Sequence, residues 1–254
     1  MKIHILILSF LLGSSLFAQN TAFTESYYAK IKAEGDLAKM QFFFSQMPKG
    51  GDLHHHFGGS LYAESYLEWL EEKDYYLNTE TLKASKENCV SCLSIHEVIR
   101  NSDLFERVIE RWSAQDYEHT FAYQLPPDQH FFNSFSYFGE REYRDYKEGL
   151  QNIKERALKE NVQYIETQAL TIGIPFSFTA YDEKLWQSQE AHDTTGLFQL
   201  LGEIEAKMQG EELEGIVAEY RETLADYHKG LDEEDFTLRY QSYITRFRNP
   251  SDIF

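Results

Sequence analysis

Basic charge, cysteine and long apolar runs are all scarce in this chain of 254 residues. Its 24 lysines and arginines face 42 aspartates and glutamates, for a formal net charge of -18. An acidic surface of this size repels phosphate backbones and anionic lipid. No basic stripe offsets it, so nucleic acid is not an expected partner. The two cysteines, Cys89 and Cys92, lie in a polar stretch rather than the strand-to-helix setting of a redox motif, and two thiolates without further ligands make a poor zinc site. No run reaches the roughly twenty apolar residues of a membrane span. Internal repeats and low-complexity tracts are also missing.

Apolar residues make up 42% of the chain, with 19 Phe and 17 Tyr, enough to build a core and to argue against intrinsic disorder. Residues 1–18 read differently from the rest. Lys2 and His4 precede the apolar run Ile5 to Leu12, small residues follow, and Ala18 closes the segment. This is the pattern of a secretory signal peptide, so the protein is expected to be exported, to the periplasm or the medium. After export, Cys89 and Cys92 favour a local disulfide pinning the section of chain inserted after the first strand.

Residues 19–46 predict a helical arm, with Tyr27, Tyr28, Ile31, Leu37, Met40, Phe43 and Phe44 at roughly helical spacing and an interruption at Gly35. Met47-Pro48-Lys49-Gly50-Gly51 ends it. A short strand through Asp52 to Phe57 follows, then the Gly58-Gly59 turn, and Ser60 as N-cap of a helix over Leu61 to Glu71. Residues 73–133 read as an insertion, with a polar loop near Asn78 to Asn88 and one helix over Ile95 to Trp112. Asp145 to Asn161 predicts a helix with Tyr146, Leu150, Ile153, Ala157 and Leu158 on one face. Val162 to Gln168 alternates as a strand, with Val162, Tyr164 and Glu166 opposite Gln163, Ile165 and Thr167. Helices over Thr195 to Met208 and Glu212 to Lys229 precede a third strand, Phe236 to Ile244, with Phe236, Leu238, Tyr240 and Ile244 on one face. Strands alternating with helices favour a parallel sheet with right-handed crossovers.

His54 and His56 lie two apart on the first strand, so both imidazoles project from one face and can converge on a metal ion, while His55 points away. The competing reading is a solvated polar patch or a packing layer. The Pro-Lys turn before the strand and the glycines after it favour the metal reading, because they place the pair at the C-terminal end of the strand, where a barrel of parallel strands builds its active site.

Met47-Pro48-Lys49-Gly50-Gly51-Asp52-Leu53-His54-His55-His56-Phe57-Gly58-Gly59-Ser60 resembles the first-strand signature of adenosine deaminases, in the form of their secreted, growth-factor-like branch. The aromatic cluster His130 to Phe138, the strand Val162 to Glu166 and the stretch Phe236 to Arg246 are similar in the same order, so the resemblance runs from about residue 25 to 254. It implies an α/β fold, the N-terminal part of a TIM-type (β/α)8 barrel with about three of eight strands within residues 47–254. It also implies that His54 and His56 are ligands of one catalytic zinc ion, with His56 and Gly59 near the substrate and Phe131, Phe132 and Phe135 walling a purine pocket. Gly58 stands where many members carry a ribose-binding Asp. For the three phenylalanines, a helical stripe in the core is the alternative reading.

The reaction implied is hydrolytic deamination of adenosine to inosine. Zinc activates a water for attack on the carbon bearing the amino group, and a carboxylic acid protonates the ring nitrogen. In the family the third His ligand and the acid form His-x-x-Glu after a later strand, and an Asp-Asp pair completes the site. None of the nine His here precedes a Glu by three residues, and Asp-Asp does not occur. No catalytic residue is therefore assigned, and the chain is expected to be the inactive N-terminal portion of such an enzyme, although 254 residues match a whole barrel of about 250. Glu166 reads as structural rather than catalytic. Two alternatives stand beside this one: a non-catalytic secreted binding module that dimerises through the N-terminal arm, and another amidohydrolase on the same barrel.

Overall fold

The computed structural model describes residues 21–115, 117, 125–138, 144–172 and 177–243. The expected signal peptide and Ile244 lie outside the described residues. The arm is a helical hairpin, α1 over residues 21–34 and α2 over Leu37–Gln46. Gly35 turns the chain in the left-handed region at φ 66°, and the Asp36 side chain caps α2 by accepting from the Lys39 N–H at 3.0 Å. Ile31 is buried, but Phe23, Leu37 and Phe42 are largely exposed.

Strand β1, Gly50–His56, starts the main sheet and leads into α3, Phe57–Ser60, and α4, Ala63–Glu72. The expected helix from Leu61 is thus two pieces. Ser60 ends α3, its hydroxyl donating to the Phe57 carbonyl at 3.0 Å, and Tyr62 is the N-cap of α4 without a side-chain bond. Ala63, Tyr66, Leu67 and Leu70 of α4 are buried at helical spacing.

The inserted section holds a small antiparallel sheet that sequence periodicity could not show, since its strands have two or three residues: β2 (Tyr76–Asn78), β3 (Ala84–Ser85) and β4 (Cys92–Ser94), in the order β3-β2-β4. Cys89 and Cys92, the first residue of β4, are joined in a disulfide. The single helix expected over Ile95 to Trp112 is broken at Asn101. α5 (Ile95–Arg100) begins with a Ser94–Glu97 capping box, and α6 (Ser102–Trp112) is capped by the Asn101 side chain, which accepts from the Leu104 N–H at 3.2 Å. The Trp112 indole donates to the Leu82 carbonyl at 2.8 Å and packs with Tyr66, Trp69 and Phe138 in the larger of the cores. α7, Pro127–Ser134, carries the first part of the expected aromatic cluster, His130 to Ser134, and Phe135 to Phe138 follow in the turn after it.

α8 (Tyr146–Lys159) runs into β5 (Val162–Gln168). α9 (Asp182–Glu190), α10 (Thr194–Met208) and α11 (Glu211–His228) lead to β6 (Thr237–Tyr240). The fold is mixed α/β, with a parallel three-stranded sheet in the order β1-β5-β6. α8 covers one face of it. Leu150 and Ile153 meet Ile165, Phe236 and Leu238 there, all buried. Gly149 is obligatory in that packing, because a Cβ would come within 2.5 Å of the Phe57 ring. Leu158, expected on the buried face of α8, is 36% exposed. Its place is taken by Lys154, whose aliphatic stem is buried while its ammonium donates to the Gly230 carbonyl at 2.8 Å and pairs with Glu233 at 2.5 Å.

Two register shifts between β1 and β5 alter the expected faces. One lies between Gly50 and Gly51, and beside it Val162 packs with the covered core instead of following Tyr164 and Glu166. The other lies between Asp52 and His55. The Asp52 side chain accepts from the His54 N–H at 3.1 Å, holding the extra residue as a bulge. Asp52 and His55, three residues apart, therefore pair with Ile165 and Thr167 on the covered side.

Candidate functional site

The Asp52 bulge decides where the histidines point. His55 turns toward α8, and its Nδ1 and the Thr167 hydroxyl lie 2.9 Å apart. Burial pushes the His55 imidazole below its ordinary value, outweighing the pull of the Asp52 carboxylate. His54 and His56 are exposed on the other face, at the end of β1, with their Nε2 atoms 3.1 Å apart and ring planes at 70°. Two Zn–N bonds of about 2.05 Å would span that gap at an angle of roughly 100°, near tetrahedral. Without a metal the same distance is a hydrogen bond, one ring donating and the other accepting.

Glu166 and Gln241 share this open face. The Tyr164 hydroxyl donates to Glu166 Oε1 at 2.8 Å, and Gln241 Nε2 donates to Oε2 at 2.7 Å and to the Leu53 carbonyl at 2.9 Å. The Tyr164 bond, followed by that from Gln241, holds the Glu166 carboxyl below the usual carboxylate range. Both of its oxygens are engaged, Oε1 by a neighbour on its own strand and Oε2 by Gln241, which follows β6 and bridges to β1. Among the described residues no group of three or more His, Cys, Asp or Glu side chains converges to hold a metal ion. The donor set therefore fits two corners of a zinc site, and the described residues supply no third.

The four residues of α3 carry the chain from the histidines to an open cleft of about 540 Å3. Gly59 can be no more than roughly 11 Å from His56 along the backbone. The cleft is walled by Gly58, Gly59, Tyr66, Trp112, Phe131 and Phe135, among others. A Cβ on Gly59 would lie 3.5 Å from the Phe135 ring and 3.6 Å from that of Phe131, so the glycine keeps the floor low beneath two edge-to-face rings. Of the three expected pocket phenylalanines, Phe131 and Phe135 meet here. Phe132 points outward and is 69% exposed. Tyr66 donates to the Gly58 carbonyl at 2.6 Å, and burial raises its hydroxyl to about 12.

One residue in this region carried no signal in the sequence. Arg144, just before α8, brings Nη1 within 3.0 Å of where a Gly58 Cβ would stand and lies over the Tyr66 ring at 5.6 Å. Its Nε is buried and has no hydrogen-bond partner. No family, curated protein or solved structure matches the chain.

Proposed function

We propose that this chain supplies the first-strand metal half-site and the purine-pocket wall of an adenosine deaminase-type zinc hydrolase, built on a (β/α)8 barrel and acting outside the cell. The observation that carries this reading is the convergence of His54 and His56 Nε2 at 3.1 Å, at the C-terminal end of a parallel strand that leads directly into an aromatic cleft. The strand-helix-strand order of the parallel sheet supports it. Bound zinc would supply Lewis acidity and an activated water. This chain's own residues then have three tasks: His54 and His56 hold the ion, Gly59 admits a flat ring, and Phe131 and Phe135 press on its faces and edges.

Two imidazoles hold zinc weakly, because a catalytic centre uses three or more protein ligands. The full chain is therefore expected to bind less than one equivalent of zinc in equilibrium dialysis and to release no ammonia from adenosine. His54→Ala and His56→Ala should each remove the residual zinc. Zinc retention indifferent to both substitutions sinks the half-site, and robust turnover with bound zinc sinks the incomplete ligand set.

A further inference from the structure

The polar side chains that line the aromatic cleft have, for the most part, already spent their donors on the chain's own carbonyls. Ser60 donates to Phe57 at 3.0 Å, Ser113 to Ile109 at 2.7 Å and Ser134 to Phe131 at 2.6 Å. The Tyr66 hydroxyl is given to the Gly58 carbonyl and the Trp112 indole N–H to that of Leu82. His130 Nε2 lies 2.6 Å from the Ser113 carbonyl, which can only accept, so Nε2 carries the ring proton and Nδ1 of the neutral ring is an acceptor. Among the described lining side chains, donors remain on Tyr62 and Gln115. Both are exposed, and the Tyr62 ring lies under the Arg156 guanidinium at 4.7 Å.

Glu64 sets the character of what is left. It stands in the first turn of α4 and lines the same cleft as Gly59, Phe131 and Phe135. A carboxylate has two oxygens and only accepts, so this wall reads its ligand through donors that the ligand supplies. The pairing edge of an adenine is a poor match, because its amino donor stands beside a ring-nitrogen acceptor that would face the second oxygen. The cis-diol of a ribose offers two adjacent O–H donors, one for each oxygen, and acidic side chains read ribose hydroxyls in the same way in dinucleotide-binding folds. We propose that the cleft takes a purine ribonucleoside in preference to its deoxy forms, with Glu64 as the residue that accepts from the cis-diol. This names the substrate class of the site assigned above and rests on that reading.

Calorimetric titration of the full chain with adenosine, deoxyadenosine and dideoxyadenosine, which lacks both hydroxyls of the diol, tests this. Adenosine should bind about tenfold more tightly than dideoxyadenosine, as loss of hydrogen bonds to a charged acceptor requires, with deoxyadenosine between them. In Glu64→Ala the three affinities should converge. In Glu64→Gln, which keeps one acceptor oxygen, the ratio should be intermediate. Glu64 is exposed, so both variants should fold, and melting curves check that they do. A Glu64 that only complements the positive end of α4 would shift the melting temperature and leave the ratios alone. If the variants do not fold, the unaltered chain still decides the ribose preference. Equal affinities there overturn that preference while leaving the purine pocket standing, and a preference that survives Glu64→Ala overturns the role of Glu64. Binding of none of the three overturns the purine pocket and the ribose preference together.

Discussion

The two faces of the parallel sheet are made from alternate residues of the same three strands and have opposite characters. On the covered face Ile165, Phe236 and Leu238 are at most 4% exposed beneath α8, and two polar side chains there, His55 and Thr167, bond to each other. On the open face Leu53 is 62% exposed, His54 and His56 are exposed, and Glu166 and Gln241 are half-buried beside them. One face holds the fold together and the other carries the exposed histidine pair. They are kept apart by a bulge that places Asp52 and His55 together on one side and leaves His54 and His56 on the other.

Equal truncations on the two faces test that division directly. The largest effect belongs to Leu150→Ala, which empties a fully buried site beneath the sheet and should lower unfolding free energy by about 2–5 kcal/mol in denaturant titrations. A cost under about 1 kcal/mol would mean that α8 is not the cover. A smaller effect, dependent on pH, comes from the edge where the faces meet. Asp232 accepts from the Leu238 N–H at 2.9 Å and from Arg239 at 2.7 Å. Partial burial raises its pKa, but the Leu238 bond, with Arg239 and His228, brings it below the ordinary Asp value of 3.8. A depressed folded pKa gives stabilisation that is complete above 3.8 and is lost as pH falls through the lower folded value. Asp232→Asn should flatten this acid limb, and melting temperatures below pH 4 that fall equally steeply in both proteins would refute the role of that carboxylate. The smallest effect is expected from Leu53→Ala on the open face, within about 0.5 kcal/mol in the same titrations. A large loss there would show that something covers the face.

How far the residues announce all this differs from place to place. Alternation alone separates His54 and His56 from His55, and Ile165 and Thr167 from Tyr164 and Glu166, because a strand has only two sides. It misplaces Val162, and it would group Asp52 with His54, because a register shift depends on the partner strand and no local pattern encodes that. The break at Asn101 had a signal that periodicity overrode: Asn101 is a cap residue inside what periodicity reads as one helix. The strands of the inserted sheet had none, since two or three residues carry no period. Phe131 and Phe135 could be found by their motif, but which rings of the cluster turn inward depends on how α7 sits over Gly59. Arg144 was hidden for a related reason, as its meaning lies entirely in its proximity to a glycine far away in the chain.

The junction between arm and sheet has a consequence in time. Lys49 donates its N–H to the Asn161 carbonyl at 2.8 Å and its ammonium to the Glu160 carbonyl at 3.0 Å, while the Asn161 side chain donates to the Ser45 carbonyl at 2.7 Å. These partners are 111 and 116 residues apart in sequence for the two side-chain bonds. On a ribosome adding about 5–20 residues per second, the first strand and its arm emerge on the order of ten seconds before the turn that anchors them. Throughout that interval the aromatic hairpin and the three histidines are present on the nascent chain with no fixed direction, and they acquire one only when residue 161 has been made.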